Sequence, residues 1–103
     1  MQKLIKGLHH FQRNIFTTQR ELFERASGLE ASDPELALGL YGELARSGGA
    51  WAANALYAQA RLAFERGAFV KARGLLVRYI ERYPKGLNIG DVRALLNRVN
   101  GAR

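Results

Sequence analysis

Few residues of this 103-residue chain combine a reactive side chain with a spacing that would support catalysis or metal binding. The two histidines, His9 and His10, are adjacent, so on a helix they point about 100° apart and cannot grip one metal ion together. Cysteine is absent, which excludes disulfides, thiolate zinc sites and cysteine nucleophiles. The candidate acidic residues lie at predicted helix starts, where the helix dipole already accounts for them. They are Glu21, Glu24, Glu30, Asp33 and Glu35. The sequence therefore predicts neither an enzyme nor a bound cofactor or metal ion.

The charge distribution suggests another kind of chemistry, the binding of phosphate groups. The formal net charge is +7, and the whole excess lies in residues 51 to 103, which hold ten Lys or Arg and three Asp or Glu. Lys71, Arg78, Arg82 and Lys85 would fall within about 60° of arc if helical geometry extended past Pro84. Such a basic stripe could bind nucleic acid or anionic lipid by releasing counterions. A charged stripe opposite a core face is also commonly just solvated, and the sequence leaves both interpretations open.

Helices must position these side chains, because strand signals are missing. Proline occurs only at Pro34 and Pro84, and alternation of β-branched residues is nowhere sustained. Both observations predict an all-α fold. Apolar spacing and capping signals predict helices over about residues 2–15, 18–26, 34–46, 50–66, 69–83 and 89–99.

Caps and glycines mark the predicted helix boundaries. Thr18 and Glu21 are spaced as a capping box, and Ser32 or Asp33 can cap a helix that begins at Pro34. Glycine tolerates the left-handed backbone that closes many helices. The glycines expected to end helices are Gly28, Gly48, Gly49 and Gly67.

Long apolar segments are missing from the sequence. No run approaches the roughly 18 apolar residues of a membrane span, and the N-terminus lacks the uninterrupted apolar core of a signal peptide. We therefore expect no membrane span, and a cytoplasmic location for the chain as given, unless it is a fragment of an envelope protein.

Residues 67 to 84, GAFVKARGLLVRYIERYP, carry a regular helical pattern. Six residues of the helix predicted over 69–83 fall within about 100° of arc, the width of a core-facing stripe. They are Phe69, Ala72, Leu76, Tyr79, Ile80 and Tyr83. Small residues on this helix and the preceding one would let two antiparallel helices approach closely across Gly67. A single helical hairpin cannot bury its second face, so such units usually stack. The predicted core includes Tyr41, Leu44, Leu56, Phe69, Leu76, Tyr79 and Ile80.

This pattern resembles the tetratricopeptide repeat. Over residues 53 to 84, the small, aromatic and terminal proline positions of that family are matched by Ala60, Gly67, Phe69, Ala72, Leu76, Tyr79 and Pro84. The first helix departs from the family, with Leu56 in place of tryptophan, Gln59 in place of leucine and Ala63 in place of tyrosine. About 35 residues earlier, the second-helix pattern recurs as Ala37, Tyr41 and Leu44.

The resemblance covers about residues 33 to 99, and a helix over 91 to 99, with Ala94 at the small-residue position, looks like a closing cap. It implies a short right-handed stack of antiparallel hairpins in a domain of residues 32 to 103. The segments ALYAQARLAFERG and RYIERYPKG resemble the repeats of bacterial envelope-assembly proteins.

The resemblance also implies a binding groove, because the first helix of such a repeat lines the inner face of the stack. The matching positions are Asn54, Tyr57, Arg61 and Phe64. Their amide, phenol, guanidinium and aromatic ring could grip a peptide through its backbone and carboxylates. Alternatively, Tyr57 and Phe64 are packed as core or cap. We therefore expect a non-catalytic protein-interaction or assembly module with a protein or peptide partner, the alternative being a small basic nucleic-acid binder.

Residues 1 to 28 resemble instead the N-terminal helical arm of β-class carbonic anhydrases. That family's zinc site needs two cysteines, a histidine and an Asp-Arg pair further along its chain, so the resemblance carries no activity to this cysteine-free sequence. We separate this segment from the repeat because, in repeat register, Glu21, Glu24 and Arg25 would occupy buried positions.

The N-terminal segment also carries an apolar stripe, formed by Leu4, Leu8, Phe11 and Ile15 at helical spacing. A helix of this length is marginal in water on its own and needs a partner surface. We expect a homo-oligomer, most simply a two-fold dimer, held largely by residues 1 to 27 with this stripe as its contact surface. The alternative is a monomer whose first helix folds back on its own repeats.

Overall fold

The protein is described here by a computed structural model covering residues 18–101. These residues form α-helices and no strand, which confirms the predicted all-α fold. None of the helices in this part is long and apolar enough to span a bilayer. The expected helix over residues 2–15, with its stripe Leu4, Leu8, Phe11 and Ile15, lies outside the described residues. In chain order the helices are α1 Gln19–Leu29, α2 Pro34–Ser47, α3 Ala52–Glu65, α4 Phe69–Arg82 and α5 Ile89–Gly101.

The first two helices begin at the predicted caps. The backbone N–H of Glu21 donates to Thr18 Oγ1 at 3.1 Å, and the N–H of Thr18 donates to Glu21 Oε1 at 3.2 Å, which completes the capping box. The Thr18 N–H and the Thr18 hydroxyl, which both donate to the exposed Glu21 carboxylate, lower the pKa of that carboxyl. Asp33 caps α2 by accepting from the Leu36 N–H at 3.2 Å, with Pro34 in the first turn. Each such cap typically stabilises a helix by about 1 kcal/mol.

Three of the four glycines expected to end helices do so. Gly48, Gly49 and Gly67 have φ values of 75°, 89° and 80°, a backbone region that favours glycine. The expectation for Gly28 is wrong, because α1 continues through Gly28 to Leu29. Leu29 is half-buried and packs against the core, so the extra turn places an apolar side chain in contact with the rest of the protein.

Each helix packs against its neighbours in the sequence, and α3 also contacts α5. Both sides of α3 are buried. Ala55, Ala58 and Leu62 join a core cluster with residues of α1 and α2, while Leu56 and Ala60 join a second cluster with α4 and α5. The many alanines of α3 allow neighbours to approach it closely on both sides.

The predicted core residues lie in these clusters. Phe69 and Ile80 are half-buried and pack against the second cluster. The fully buried members of the predicted core are Tyr41, Leu44, Leu56, Leu76 and Tyr79.

The two hairpins α1–α2 and α3–α4 correspond position by position, but with two different spacings. Ala26 and Ala60 are both completely buried and lie 34 residues apart. Ala37 and Ala72 are also completely buried and lie 35 residues apart. The difference arises at the end of the first helix of each hairpin, because α3 continues five residues past Ala60 whereas α1 continues three residues past Ala26. The connection after α3, residues 66–68, is one residue shorter than the connection after α1, residues 30–33, and offsets only part of this difference.

This difference also bears on residues 18 to 28, which the sequence pattern separated from the repeat. A single 35-residue register places Glu21, Glu24 and Arg25 at buried positions, but all three are exposed. In the 34-residue register of α1, the counterparts of Leu56 and Ala60 are Leu22 and Ala26, which pack in the core. Residues 19–29 therefore belong to the same helical stack as α2.

At the same 34-residue spacing, Ala94 of α5 is the counterpart of Ala60 of α3. Ala60 is completely buried, whereas Ala94 is exposed. The difference follows from the neighbours: α4 packs on α3 after the turn, and within the described residues no helix follows α5. The helix α5 is instead anchored by Val92, Leu95 and Val99.

Candidate functional site

Two adjoining clefts open on the face formed by α1, α3 and α5. The α3–α5 cleft has a volume of about 280 Å³, and the α1–α3 cleft has a volume of about 360 Å³. Tyr57 and Arg61 line both clefts and form the wall between them. The other α3 residues predicted to bind are divided between the clefts: Asn54 lines the α1–α3 cleft and Phe64 lines the α3–α5 cleft.

The residues that line the clefts recur at the 34-residue spacing. Phe23, Tyr57 and Asp91 occupy one equivalent position on α1, α3 and α5, and Ser27 and Arg61 occupy another. Successive odd-numbered helices therefore present the same face to solvent with different chemistry. The sequence prediction missed Phe23 and Ser27 because it applied the 35-residue register to α1.

Tyr57 and Phe64 each combine packing with exposure. Both are half-buried and pack against the core cluster of α3, α4 and α5, while their remaining surface lines the clefts. Burial raises the pKa of Tyr57, with a further contribution from the charge of Asp91. The Phe64 ring packs on Phe69 at a centroid distance of 5.4 Å. Each of these side chains thus has one side packed against the core and another side facing a cleft. The two sequence interpretations, packed core and cleft surface, therefore do not exclude each other.

Arg61 is held by two carboxylates of the protein itself. Its Nη2 donates to Glu30 Oε2 at 2.5 Å, and its Nη1 donates to Glu65 Oε2 at 2.9 Å. Burial alone lowers the pKa of Arg61, but these hydrogen bonds outweigh it and raise the pKa above its ordinary value. Arg61 therefore shapes the wall between the clefts and is less available to a peptide carboxylate than its sequence position suggested.

Glu30 joins three helices at the base of the α1–α3 cleft. It follows α1 directly, receives the hydrogen bond from Arg61 of α3, and also accepts a short hydrogen bond from the Tyr41 hydroxyl of α2. Burial, together with this bond to Glu30, raises the pKa of Tyr41 to about 12. The three side chains form a polar support beneath the cleft, which we call the Tyr41–Glu30–Arg61 network.

The connection between α4 and α5 forms the rim of the α1–α3 cleft. The Asn88 side-chain amide donates to Asn54 Oδ1 at 3.1 Å, and the Asn88 backbone N–H donates to the buried Tyr79 hydroxyl at 3.2 Å. These bonds fix the segment that carries Leu87, whose side chain is 97% exposed at the edge of the cleft. Gly86 allows the close approach, because a Cβ there would overlap the Tyr79 hydroxyl.

The α3–α5 cleft contains two charged side chains of α5 that are available to a ligand. Among the ion pairs of residues 18–101, none includes Asp91 or Arg98. The Arg98 guanidinium lies 4.9 Å from the centre of the Phe64 ring, a cation–π contact. No group of three potential metal ligands is brought together within the described part of the chain.

None of the residues of the predicted basic stripe lines either of these clefts, and three of the four lie on α4. Lys71, Arg78, Arg82 and Lys85 are all exposed, but Lys85 lies beyond Arg82, the last residue of α4. Arg78 and Arg82 line a small third cleft with Arg46 of α2, which the sequence prediction did not include. Lys71 and Lys85 do not line that cleft.

Comparison of the chain with protein-family models, with curated proteins and with solved structures gave no significant match.

Proposed function

We propose that the chain is a non-catalytic protein-interaction module that binds an extended peptide across the α1–α3 and α3–α5 clefts. The observation that carries the proposal is the repetition of the cleft-lining positions along α1, α3 and α5 at 34-residue spacing. A repeated face of this kind presents side chains in a row, which suits a ligand that is itself extended.

The resemblance to the tetratricopeptide repeat supports the same surface. In that family the first helix of each hairpin lines the inner groove, and α1 and α3 are the first helices of the two hairpins described here. The alternating 34- and 35-residue correspondences support two consecutive hairpin units, and α5 takes the place of a closing helix. We propose on this basis that residues 19–101 are a short stack of tetratricopeptide type.

The lining residues indicate what kind of peptide would fit. The α1–α3 cleft offers Phe23 and Tyr57 together with the exposed Leu87, so it would take an apolar or aromatic side chain. The adjoining α3–α5 cleft offers Asp91 and Arg98, so it would take a neighbouring polar or charged side chain. We expect weak binding, with Kd on the order of 10–100 μM, because so short a groove buries little surface.

Selection of linear peptides against the full chain, followed by affinity measurement with matched variants, tests this proposal. Leu87→Ser removes an apolar side chain from the cleft rim, and Val70→Ser removes an apolar side chain that is 80% exposed on α4 and lines neither cleft. Both are so exposed that neither substitution should unfold the protein. We expect Leu87→Ser to weaken peptide binding about tenfold or more and Val70→Ser to change it less than about twofold.

Equal loss of affinity in both variants would contradict the proposal, as would the failure of selection to yield any peptide whose binding depends on the clefts. Salt dependence separates the nucleic-acid alternative. Binding across Phe23, Tyr57 and Leu87 should change little between low and high salt. Binding of a phosphate backbone should weaken steeply with salt if it uses the basic stripe of Lys71, Arg78, Arg82 and Lys85.

A further inference from the structure

Three arginines converge on the face opposite the two peptide clefts. Arg46 lies in the last turn of α2, and Arg78 and Arg82 lie one turn apart on α4. Together with Gln59 of α3 they line a cleft of about 70 Å³, which we call the arginine cleft. Arg46 and the two α4 residues are far apart in sequence, so the stacking of α2 and α4 on α3 creates this concentration of positive charge.

The three guanidinium groups have no carboxylate partner within residues 18–101. The acidic residues nearest to them in sequence are Glu43 and Glu81, and neither forms an ion pair there. By contrast, Arg20, Arg61 and Arg66 each pair with a glutamate. Like charges held close together repel one another, so an anion between these arginines would relieve that repulsion.

The backbone of α2 leaves room for the donors of the arginine cleft. A Cβ added at Gly42 would come within 3.0 Å of the Gln59 side-chain nitrogen and 3.2 Å of Arg46 Nη1. Because Gly42 has no side chain, the Gln59 amide and the Arg46 guanidinium can both lie close to this turn of α2. Both groups are hydrogen-bond donors, and guanidinium groups match phosphate oxygens with two parallel hydrogen bonds.

We propose that the arginine cleft binds a single dianionic phosphate group, of the kind carried by a phosphate monoester. Its volume of about 70 Å³ leaves room for one small tetrahedral oxyanion between the three arginines. A nucleic-acid backbone would instead need positive charges arranged along a track, and Lys71 and Lys85 do not line the cleft. This proposal concerns a different face from the peptide clefts and stands independently of the proposed function.

Titration of the full chain with inorganic phosphate at constant ionic strength, followed by amide NMR, tests the proposal. We expect saturable binding with Kd on the order of 1 mM, and the largest shifts near Gly42, Arg46 and Gln59. The double variant Arg78→Gln with Arg82→Gln should weaken binding about tenfold or more. The matched control, Lys71→Gln with Lys85→Gln, removes the same charge and should change Kd less than about twofold.

A phosphoserine peptide and vesicles containing phosphatidic acid present the same group on a protein and on a lipid. Tighter binding of either one than of inorganic phosphate, lost in the Arg78/Arg82 variant, would support the cleft and identify the source. An oligonucleotide without terminal phosphates provides the contrasting phosphodiester. If the oligonucleotide bound more tightly than inorganic phosphate, and if both double variants lost oligonucleotide affinity equally, nucleic-acid binding would replace our proposal.

Non-saturating shifts with phosphate would overturn the proposal, as would equal losses of phosphate affinity in the two double variants. Circular dichroism of each variant checks that the helices are retained. Arg46→Gln provides a second test from a different helix, and it should also weaken phosphate binding.

Discussion

At the scale of single residues, the Tyr41–Glu30–Arg61 network most directly links stability to the candidate site. Tyr41 is only 1% exposed, and its hydroxyl donates to a carboxylate that also receives Arg61. Removing Glu30 would leave the hydroxyl of the buried Tyr41 without this acceptor and the half-buried Arg61 without one of its two carboxylates. Leaving a buried polar group without a partner costs more than the hydrogen bond itself contributes. The network therefore stabilises the contact of α2 and α3 at the end of α1.

The stability of the protein at alkaline pH should depend on this network. In the unfolded chain Tyr41 ionises near its ordinary pKa of about 10, whereas burial and Glu30 raise its pKa in the folded protein to about 12. The stabilisation is therefore complete below pH 10 and is lost as the pH rises toward 12. We expect the free energy of unfolding, measured with urea, to fall over this range and to fall less in Tyr41→Phe. Tyr83→Phe is the control, because it removes a tyrosine hydroxyl but keeps the network. An equal fall in the free energy of unfolding of the wild type and of Tyr41→Phe would contradict this prediction.

At the scale of helices and turns, capping signals were predictable from sequence because they are local. Thr18, Glu21 and Asp33 act within a few residues of their own positions, and the structure confirms their caps. The end of α1 was not predictable in the same way. Gly28 carries a stop signal, but Leu29 packs against a core cluster built from α1, α2 and α3, and this tertiary packing extends the helix.

The candidate site was partly predictable for the same reason. Tyr57 and Arg61 lie on one helix, so their shared face follows from helical spacing. Glu30, which holds Arg61, and Leu87, which lines the α1–α3 cleft, both lie in turns, and the lengths of turns decide which residues meet. The signal that could have placed α1 is the spacing of 34 residues from Leu22 to Leu56 and from Ala26 to Ala60.

The turn after α4 provides an element-scale prediction. Gly86→Ala would place a Cβ against the hydroxyl and ring of the buried Tyr79, and we expect a loss of stability of about 1–3 kcal/mol. Gly90→Ala is the matched control, since no neighbouring atom lies within 4 Å of its added Cβ in α5. That control should be neutral or stabilising by about 0.5–1 kcal/mol, because alanine favours helix. Urea denaturation of both variants measures the difference, and equal effects would contradict the proposed contact.

At the scale of the whole molecule, α3 organises two opposite faces. Its Tyr57 and Arg61 side lines the α1–α3 and α3–α5 clefts, and its Gln59 side forms part of the arginine cleft between α2 and α4. A stack of alternating helices produces this separation, since first helices lie on one face and second helices on the other. The two proposed ligands would therefore bind without competing for the same surface.

The expected dimer depends on Leu4, Leu8, Phe11 and Ile15, which lie outside the described residues, and it stays a prediction. Because residues of α1 pack in the core with α2, the part of the expected contact segment that precedes α1 is left for the dimer contact. A dimer formed through the stripe at residues 4–15 would leave the α1 contacts with α2 intact.

The most direct test of peptide binding is to map a selected peptide onto the full chain by amide chemical-shift perturbation. The proposal predicts saturable shifts concentrated on the face of α1, α3 and α5, near Ser27, Tyr57, Leu87 and Arg98. Residues of the opposite face, such as Arg78, should shift little. Shifts centred on α2 and α4, or spread over the molecule without saturation, would contradict the assignment of the two clefts as the peptide-binding surface.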